Sequence, residues 1–375
     1  MPRTRANIAL TLALVVHLVT AAISFVLAPQ PAGDFDRYYE IASGQGRPYV
    51  DFQVEHPIGT FLVFRAIANV TGGRAAFGRA VVTLNLAADA VIMSVIWTTW
   101  GLAAVTYYAI VSAPIAGLLF TRIDFWSIMA ATIGVAAWRR GRPAIAGAAL
   151  AIGASLKLWP AVLALLLLDP PARRKAAAGM FIAVGAALGF TALALTGAGS
   201  VLEVLTFRGA HGWQIESLVG ATIHLFTDLP IRMESGSWRI GDMGNHTSTV
   251  LFLASAPICL WAGWRAMRTK RAGAGWLAGV STLLVLSALL SPQYIGWLIP
   301  GGAIAWVEGD RRPAWLTVAV VVLTQLFWMT YQRVMDGVPF AVGLVVLRNL
   351  VLIGLAVSAL VTLARPRTAL LETEL

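Results

Sequence analysis

Asp34 and Asp36 begin a short segment in which the carboxylates of this chain are concentrated. The stretch GDFDRYYEIASGQGRPYVDFQVEHPIG, residues 33–59, also contains Glu40, Asp51 and Glu55. Charged residues make up only 12% of the whole sequence. A carboxylate within hydrogen-bond reach of a hydroxyl group can act as a general base. The segment therefore indicates either a reactive carboxylate or a solvated loop whose charges merely keep it in water.

The relation between Asp34 and Asp36 depends on the local structure. On a helical turn Asp36 points away from Asp34, whereas in an extended segment the two side chains share one face. In the extended case, their repulsion within one cavity would raise the pKa of one carboxyl group. Both Asp34 and Asp36 are therefore candidates for such a base.

Cations elsewhere in the chain are candidates for binding a phosphate. Lys157 interrupts an apolar stretch, where an unpaired ammonium group is costly unless it faces water, an anion or a carboxylate. Arg122 and Arg208 are further candidates because a guanidinium group can hold phosphate with two hydrogen bonds. Preorganised cations of this kind can stabilise negative charge that develops during a reaction. Two other arrangements stay open: Lys157 can extend to the membrane interface, and Arg122 can pair locally with Asp124.

The elements that must position these residues are membrane-spanning helices. The chain has 375 residues, is 58% hydrophobic and has a mean hydropathy of +0.76, whereas soluble chains are about 45–50% apolar and about 25% charged. Apolar runs of the roughly 18 residues that a helical span needs recur along the sequence. The first run follows Arg3 and Arg5 and exceeds the ~7–15-residue core of a secretory signal. We therefore expect a retained span.

The sequence predicts one all-α polytopic membrane domain over residues 1–375, with about twelve transmembrane helices. The predicted spans are about 6–28, 79–97, 101–121, 124–138, 143–156, 159–168, 176–197, 247–267, 274–290, 294–308, 313–331 and 339–363. Residues 57–70 are too short to cross, so we expect an interfacial or re-entrant helix within a first outer loop, 29–78. A second long outer loop covers 198–246. The short pieces around Lys157 are expected to be broken helices that line a cavity.

Basic residues predict the orientation of the chain. Of the 28 Lys and Arg residues, 16 lie in short clusters between apolar runs, which by the positive-inside rule face the cytoplasm. The clusters are Arg3/Arg5, Arg139/Arg140/Arg142, Arg173/Arg174/Lys175, Arg265/Arg268/Lys270/Arg271, Arg311/Arg312 and Arg365/Arg367. Both termini are then cytoplasmic, and every candidate for chemistry faces outward from the plasma membrane. Because the basic residues lie in these short clusters, the net charge of +10 does not indicate nucleic-acid binding. The abundance of Arg, Ala and Gly indicates a bacterial genome.

Five short motifs follow one another in these outward-facing segments. They are Asp34 and Tyr38 with Gly46-Arg47-Pro48-Tyr49-Val50-Asp51 and Glu55-His56-Pro57-Ile58, then Arg122-Ile123-Asp124, Lys157-Leu158-Trp159-Pro160, Arg208-Gly209 with Gln214-Ile215-Glu216-Ser217, and Ser291-Pro292-Gln293-Tyr294 with Trp297. Together they resemble glycosyltransferase family 87, within the C superfamily of polytopic enzymes that take sugar from a polyprenyl-phosphate donor. The family pattern has Tyr where this chain has His56, and a second Pro where it has Ile58.

The resemblance implies an inverting transfer of a sugar from polyprenyl phosphate to a hydroxyl group of a glycolipid or polysaccharide on the outer face. Mannose is the expected sugar, with arabinose or glucose as alternatives. Asp34, with Asp36 second, would be the base, and Lys157, Arg122 and Arg208 would bind the donor phosphate. Expected substrate-binding positions are Tyr38, Tyr49, Asp51, Glu55, His56, Asp124, His211, Gln214, Glu216, Gln293 and Tyr294. The donor's lipid tail would need a side opening between helices.

Several alternatives stay open from the sequence. A transporter or lipid flippase would share the helical outline, although transporters place their coupling sites near the midplane and often contain internal repeats. A non-catalytic scaffold is a third class. The intramembrane charges Asp89 and Arg348 would serve transport or form a structural pair, and Trp213 and Trp297 are expected in the interfacial aromatic belt. No cofactor is expected, because no Walker-type loop and no His/Cys/Asp cluster with metal-ligand spacing is seen. The Asp-x-Asp pair of Asp34 and Asp36 leaves a divalent metal ion open, although the sequence favours none.

Overall fold

The computed structural model describes residues 3–28, 34–167, 171–197, 210–244 and 247–366. Arg208 lies outside these ranges. The α-helices are α1 Arg3–Leu27, α2 Asp34–Ser43, α3 Ile58–Val70, α4 Arg74–Trp100, α5 Leu102–Ser112, α6 Ala116–Phe120, α7 Asp124–Arg139, α8 Pro143–Leu156, α9 Pro171–Thr196, α10 Leu218–Phe226, α11 Thr247–Thr269, α12 Ala272–Val285, α13 Ile299–Val307, α14 Arg311–Met329, α15 Tyr331–Met335 and α16 Pro339–Ala364. The 3₁₀ helices are Ala113–Ile115, Trp159–Leu167 and Pro292–Leu298, and the strands are β1 Trp213–Gln214, β2 Arg232–Glu234 and β3 Ser237–Ile240.

Within the described ranges, seven helices are long and apolar enough to cross a membrane, so the chain is a multi-pass membrane protein. These helices are Asn7–Leu27, Arg74–Trp100, Leu102–Phe120, Arg173–Thr196, Thr249–Thr269, Arg311–Met329 and Pro339–Ala364. Three shorter apolar helices, α3, α8 and α12, pack among them. The count of twelve spans stays a prediction.

The segment around Lys157 is a break between two helical pieces, as the sequence predicted. Helix α8 ends at Leu156, and Lys157 has extended backbone dihedrals, with φ −149° and ψ 139°. A 3₁₀ helix then begins at Trp159, whose side chain is buried. A second 3₁₀ helix follows Ser291 and leads into α13. Irregular backbone at membrane depth is tolerated where it is buried in protein or lines a cavity.

Helix α3 is seated directly on the end of α8, next to this break. The Thr60 hydroxyl donates to the carbonyl of Leu156 at 2.7 Å. A Cβ atom at Gly59 would lie only 2.7 Å from the main-chain oxygen of Ser155, so the close approach requires glycine. This contact brings the predicted Glu55–His56 motif beside Lys157.

The all-α prediction needs one correction, because the loop after residue 210 contains a small antiparallel sheet. Its strand order is β1-β3-β2, with Trp213 opposite Ile240 and Arg232 opposite Arg239. The strands are two to four residues long, too short for a readable alternation of polar and apolar residues. Between β1 and β2, the Ser217 hydroxyl caps α10 by accepting from the Gly220 amide at 3.1 Å.

The two intramembrane charges do not pair with each other, so the suggested Asp89–Arg348 pair is wrong. Asp89 accepts from the Tyr108 hydroxyl at 2.8 Å and lies 2.7 Å from Nδ1 of His17 in α1. Arg348 donates to the main-chain oxygen of Glu216 at 2.6 Å. Both charges therefore have nearby polar partners, one between helices and one in the loop that holds the sheet. His17, in the first span, is a partner of Asp89 that was not expected from the sequence.

Candidate active site

Asp34 is the first residue of α2, and one face of this helix is buried. Phe35, Tyr38, Ile41 and Ala42 form that face, with the spacing of an amphipathic helix. The carboxylates at the first turn complement the helix dipole. Asp34 and Tyr38 lie one turn apart on the same side, and the Tyr38 hydroxyl donates to Oδ2 of Asp34 at 3.1 Å.

The helical geometry directs Asp36 away from Asp34, as predicted for a helical turn. Asp36 forms an ion pair with Arg74 at the start of α4. Asp34 instead pairs with Arg122, whose Nε lies 2.6 Å from Oδ2. The two carboxylates therefore have different cations and do not face one cavity together.

Arg122 is held in a turn between α6 and α7. The side-chain amide of Asn85 in α4 donates to the carbonyls of Phe120 at 2.8 Å and of Arg122 at 2.7 Å. The guanidinium group points to Asp34, and Asp124 begins α7 with a different partner. The local Arg122–Asp124 pair that the sequence left open is therefore not formed.

Lys157 and Asp124 form a buried ion pair. The Lys157 ammonium donates to Oδ1 of Asp124 at 2.8 Å, and Trp297 donates to the same oxygen at 2.6 Å. The side chains of Lys157 and Asp124 are 10% and 0% exposed, so Lys157 does not extend to the interface. Its ammonium lies 4.6 Å from the centre of the Tyr294 ring and 5.5 Å from that of Trp297, where cation–π attraction adds to the pairing.

Tyr38 connects the two ion pairs. Its hydroxyl group is buried, and this burial, followed by the charge of Asp34, raises the pKa of Tyr38 well above its usual value. Arg122 opposes the rise and Asp124 adds to it. Both pairs therefore lie within electrostatic range of one phenol. We call Asp34, Tyr38, Arg122, Asp124 and Lys157 the charged cluster.

Glu55 and His56 flank this cluster. Arg37 donates to Oε1 of Glu55 from Nε at 2.8 Å and from Nη2 at 2.6 Å. His56 meets the Tyr38 ring edge-on at 5.6 Å, and the Tyr49 hydroxyl donates to the His56 carbonyl at 2.5 Å. The motif is thus fixed by contacts at both ends.

A cavity of about 150 Å³ lies between three of the predicted motifs. We call it the polar cavity; its lining includes Glu55, His56, Lys157, Trp159, Ser287, Tyr294 and Trp297. Asp34 does not line this cavity itself; it is connected to the lining residue His56 by way of Tyr38. The Asp34 side chain is 36% exposed, so its carboxylate is open to water while Lys157 is enclosed.

A second cavity of about 280 Å³ adjoins the polar cavity and is almost entirely apolar. We call it the apolar cavity; it lies between α3, α8 and α9 and its lining includes Tyr49, Pro57, Ile58, Ala151, Leu158, Phe181 and Leu188. Pro57 and Leu158 line both cavities. The two spaces therefore share a border at which charged and apolar walls meet.

The loop with the small sheet closes the site from another side. Gln214 donates to the Ser291 hydroxyl at 3.0 Å and accepts from the Leu290 amide at 2.6 Å, so it holds the Ser291–Tyr294 motif in place. Glu216 is buried, and burial raises its pKa to about 7 against the opposing influence of Arg348, Tyr331 and Gln214. Tyr331 forms a hydrogen bond with Glu216 and lies within electrostatic range of Arg122. Glu216 is therefore near the charged cluster.

Other predicted site residues are not brought into contact with the cluster. Asp51 accepts from the Arg47 amide at 2.7 Å and closes its own loop. His211 is exposed, and its amide donates to Glu234 at 2.5 Å. Gln293 is partly exposed on its 3₁₀ helix. Arg208 lies outside the described residues.

Four residues were missed or misread from the sequence. Trp297 and Trp213 are buried, at 6% and 7% exposure, rather than in an interfacial belt. Trp297 belongs to the Asp124–Lys157 pair, and a Trp three residues after Tyr294 on a helical turn was the available signal. Arg74 and Tyr331 gave no local signal, because each meets its carboxylate only through tertiary packing.

No metal site is found in the parts of the chain that the structure describes. Within them, no group of three or more His, Cys, Asp or Glu side chains is arranged to hold an ion. The carboxylates of the charged cluster have cationic partners instead. Asp34 and Asp36, the Asp-x-Asp pair, diverge from each other.

The overall fold of the chain is similar to that of a protein with solved structures. The crystal structure of ArnT from Cupriavidus metallidurans bound to undecaprenyl phosphate has a TM-score of 0.51 and 15% sequence identity, covering 93% of this chain and 76% of that chain. The apo structure of the same ArnT has a TM-score of 0.48 and 15% identity, covering 93% of this chain and 77% of that chain. The ligand-bound structure thus shows a shared fold. No curated protein sequence matches this chain.

The family comparison covers most of the motif-bearing region. The model described as Glycosyltransferase family 87 matches residues 54–292, which is more than half of the chain. The matched range includes the Glu55–His56 motif, the Arg122–Asp124 turn, Lys157, Gln214–Glu216 and the start of the Ser291 motif. The chain therefore belongs to glycosyltransferase family 87.

Proposed function

We propose that the protein transfers a sugar, with mannose as the expected one, from a polyprenyl-phosphate donor to a hydroxyl group of a glycolipid or polysaccharide. Membership in glycosyltransferase family 87 supports glycosyl transfer. The shared fold with an ArnT that was crystallised with undecaprenyl phosphate supports a polyprenyl-phosphate donor. The observation that carries the proposal is the border between the polar cavity, which Lys157 lines, and the apolar cavity.

That border fits the two halves of such a donor. The isoprenoid chain lies in the apolar cavity between α3, α8 and α9, and its phosphate lies toward Lys157. An ammonium group has three N–H donors, and the structure assigns one of them to Asp124, which leaves others for phosphate oxygens. Arg122 and Arg208 are the second and third proposed ligands of the phosphate.

Asp34 is the proposed general base. Its carboxylate is partly open to water, the side from which a hydrophilic acceptor arrives. When Arg122 engages the phosphate, Oδ2 of Asp34 is released to accept the proton of the acceptor hydroxyl. The oxygen then attacks the anomeric carbon opposite the phosphate as the carbon–phosphate-oxygen bond breaks, which inverts the configuration. Asp36 is the alternative base.

The remaining predicted side chains are proposed to bind substrate. Glu55 and His56 line the polar cavity beside Lys157, where they would contact sugar hydroxyl groups. Tyr294 offers an aromatic face on the same cavity. We further propose that both termini are cytoplasmic, that loops 29–78 and 198–246 lie on the outer face, and that the whole chain forms one catalytic domain.

The test is a transfer assay with purified full-length protein, labelled polyprenyl-phosphate mannose and a membrane extract. Asp34→Asn should lower the rate about 10²–10⁴-fold, the usual value of a general base. Glu40→Gln, on the exposed side of the same helix, is the matched control and should retain activity. Asp36→Asn distinguishes the two candidate bases.

The sugar is tested by parallel donors that carry arabinose or glucose. A preference for arabinose or glucose would change the proposed sugar but leave the proposed polyprenyl-phosphate carrier unchanged. Transfer that requires a nucleotide sugar, or an Asp34→Asn variant with full activity on every donor, would contradict the proposed mechanism.

A further inference from the structure

The largest of the three cavities described here lies at the other end of the helical bundle. Its volume is about 700 Å³, within the range of roughly 300–1,000 Å³ that is typical of ligand pockets. Arg139 lines it and ends α7, the helix that Asp124 begins. With a rise of about 1.5 Å per residue, this helix separates the cavity from the candidate active site by roughly 24 Å.

The lining of this cavity has an excess of positive charge. We call it the basic cavity; its charged lining residues are Arg139, Arg173, Lys270 and Glu308. Glu308 is already engaged, because its carboxylate accepts from the amides of Ala272 at 3.2 Å and Gly273 at 2.9 Å. In the described ranges, Arg173 and Lys270 form no ion pair with a carboxylate.

The cations come from three different helices and are brought together only by the fold. Arg173 lies in the first turn of α9, Lys270 follows the end of α11, and Arg139 lies over the Trp100 ring at 5.7 Å. Lys270 has a φ of 52°, a left-handed conformation that is uncommon for a residue other than glycine. Cations gathered in this way repel one another until an anion binds between them.

We propose that the basic cavity binds a phosphate-bearing anion, with Arg173 and Lys270 as its principal ligands. Basic pockets between membrane helices are known to bind the phosphate head groups of anionic lipids. The deeper lining is apolar, with Val135, Leu166, Ala266 and Val307, which suits an amphiphile. The recognised chemistry is the phosphate group, which a membrane lipid or a soluble phosphate can supply. This site is independent of the proposed transfer reaction.

The test is native mass spectrometry of the full-length protein titrated with dioleoylphosphatidylglycerol or with dioleoylphosphatidylcholine. The wild type should bind the anionic lipid more tightly. The variant Arg173→Gln/Lys270→Gln should lose about 30-fold in affinity for it, from the loss of two cations. Arg140 and Arg312 are exposed, as Arg173 and Lys270 are, but they lie outside the lining. The control Arg140→Gln/Arg312→Gln therefore removes the same charge and should stay within about twofold of the wild type.

A charge-conserving variant and competition by inorganic phosphate complete the test. The charge-conserving variant Arg173→Lys/Lys270→Arg should retain the lipid preference, which separates loss of charge from loss of folding. Displacement of the lipid by millimolar inorganic phosphate in the wild type, but not in the Gln variant, would support the anion site and identify its source as soluble. Equal losses in the cavity and control variants, or equal binding of the two lipids, would overturn the proposal.

Discussion

Ion pairs give the charged side chains of the candidate site unequal environments. The Asp34–Arg122 pair is partly open to water, whereas the Asp124–Lys157 pair is enclosed. Asp34 keeps access to an incoming group, because its carboxylate is partly exposed to water. Asp124 cannot exchange its partner, because a buried charge that loses its partner is strongly destabilised. The enclosed pair therefore helps to fix the shape of the site, whereas the partly open pair contains the carboxylate that we propose as the base.

We predict that Lys157→Met and Asp124→Asn each destabilise the protein by about 3–5 kcal/mol, since each leaves a buried group without its partner. The double variant should lose less than the sum of the two, because no charge is then left alone. Thermal unfolding in detergent measures this coupling. Additive losses would show that the two side chains act separately.

Glu216 should make stability depend on pH. Its pKa is raised from 4.5 to about 7 in the folded protein, so the folded state holds a proton that the unfolded state releases. Stability should therefore be fully present below pH 4.5 and fall as the pH rises through about 7, by on the order of 3 kcal/mol. The Glu216→Gln variant should lack this fall, so the difference in Tm between pH 5 and pH 8 should shrink. An unchanged difference in Tm would show that Glu216 is not the source of the pH dependence.

At the scale of elements, two short helical breaks and one helix contact assemble the site. The extended residue Lys157 and the 3₁₀ helix that begins at Pro292 place polar groups inside the bundle. The contact of α3 with α8 adds the Glu55–His56 segment. The break at Lys157 was predictable, because the apolar pieces on either side of it are too short for membrane-spanning helices. The partners of Asp36 and Glu216 were not predictable, because they are distant from these residues in the chain.

Gly59→Ala should weaken both the fold and the activity. Its added Cβ would meet the backbone of Ser155, and such overpacking costs about 1–3 kcal/mol. Gly179→Ala in α9 is the control, because nothing lies within 4 Å of its Cβ position. Tm and the Michaelis constant for donor should both change for the first variant only. A Gly59→Ala protein with wild-type values would show that α3 tolerates a shift away from α8.

At the scale of the whole molecule, sidedness is the feature on which the proposed function depends. Asp34, Arg122, Asp124 and Lys157 meet at one end of the bundle, and Arg139, Arg173 and Lys270 meet at the other. The sequence predicted this division from basic clusters and motif order. It did not predict the small sheet or the pairing of His17 with Asp89, because neither has a local pattern.

Labelling with a membrane-impermeant maleimide in intact cells tests the orientation. In a Cys259→Ser background, Ser43→Cys at the end of α2 should be labelled from outside, because the Ser43 side chain is exposed beside the candidate site. Arg140→Cys, exposed at the opposite end, should react only after the cells are opened. The reverse pattern would place the charged cluster in the cytoplasm and contradict an outward-facing enzyme.

The small size of the apolar cavity has a consequence for selectivity toward the carrier. A space of about 280 Å³ encloses only the isoprene units nearest the head group of a long polyprenyl chain, and the rest must extend among the surrounding lipids. Discrimination between carriers would then rest on the saturation and double-bond geometry of those first units. The total length of the chain would then have little effect on binding, because the protein does not contact its distal part.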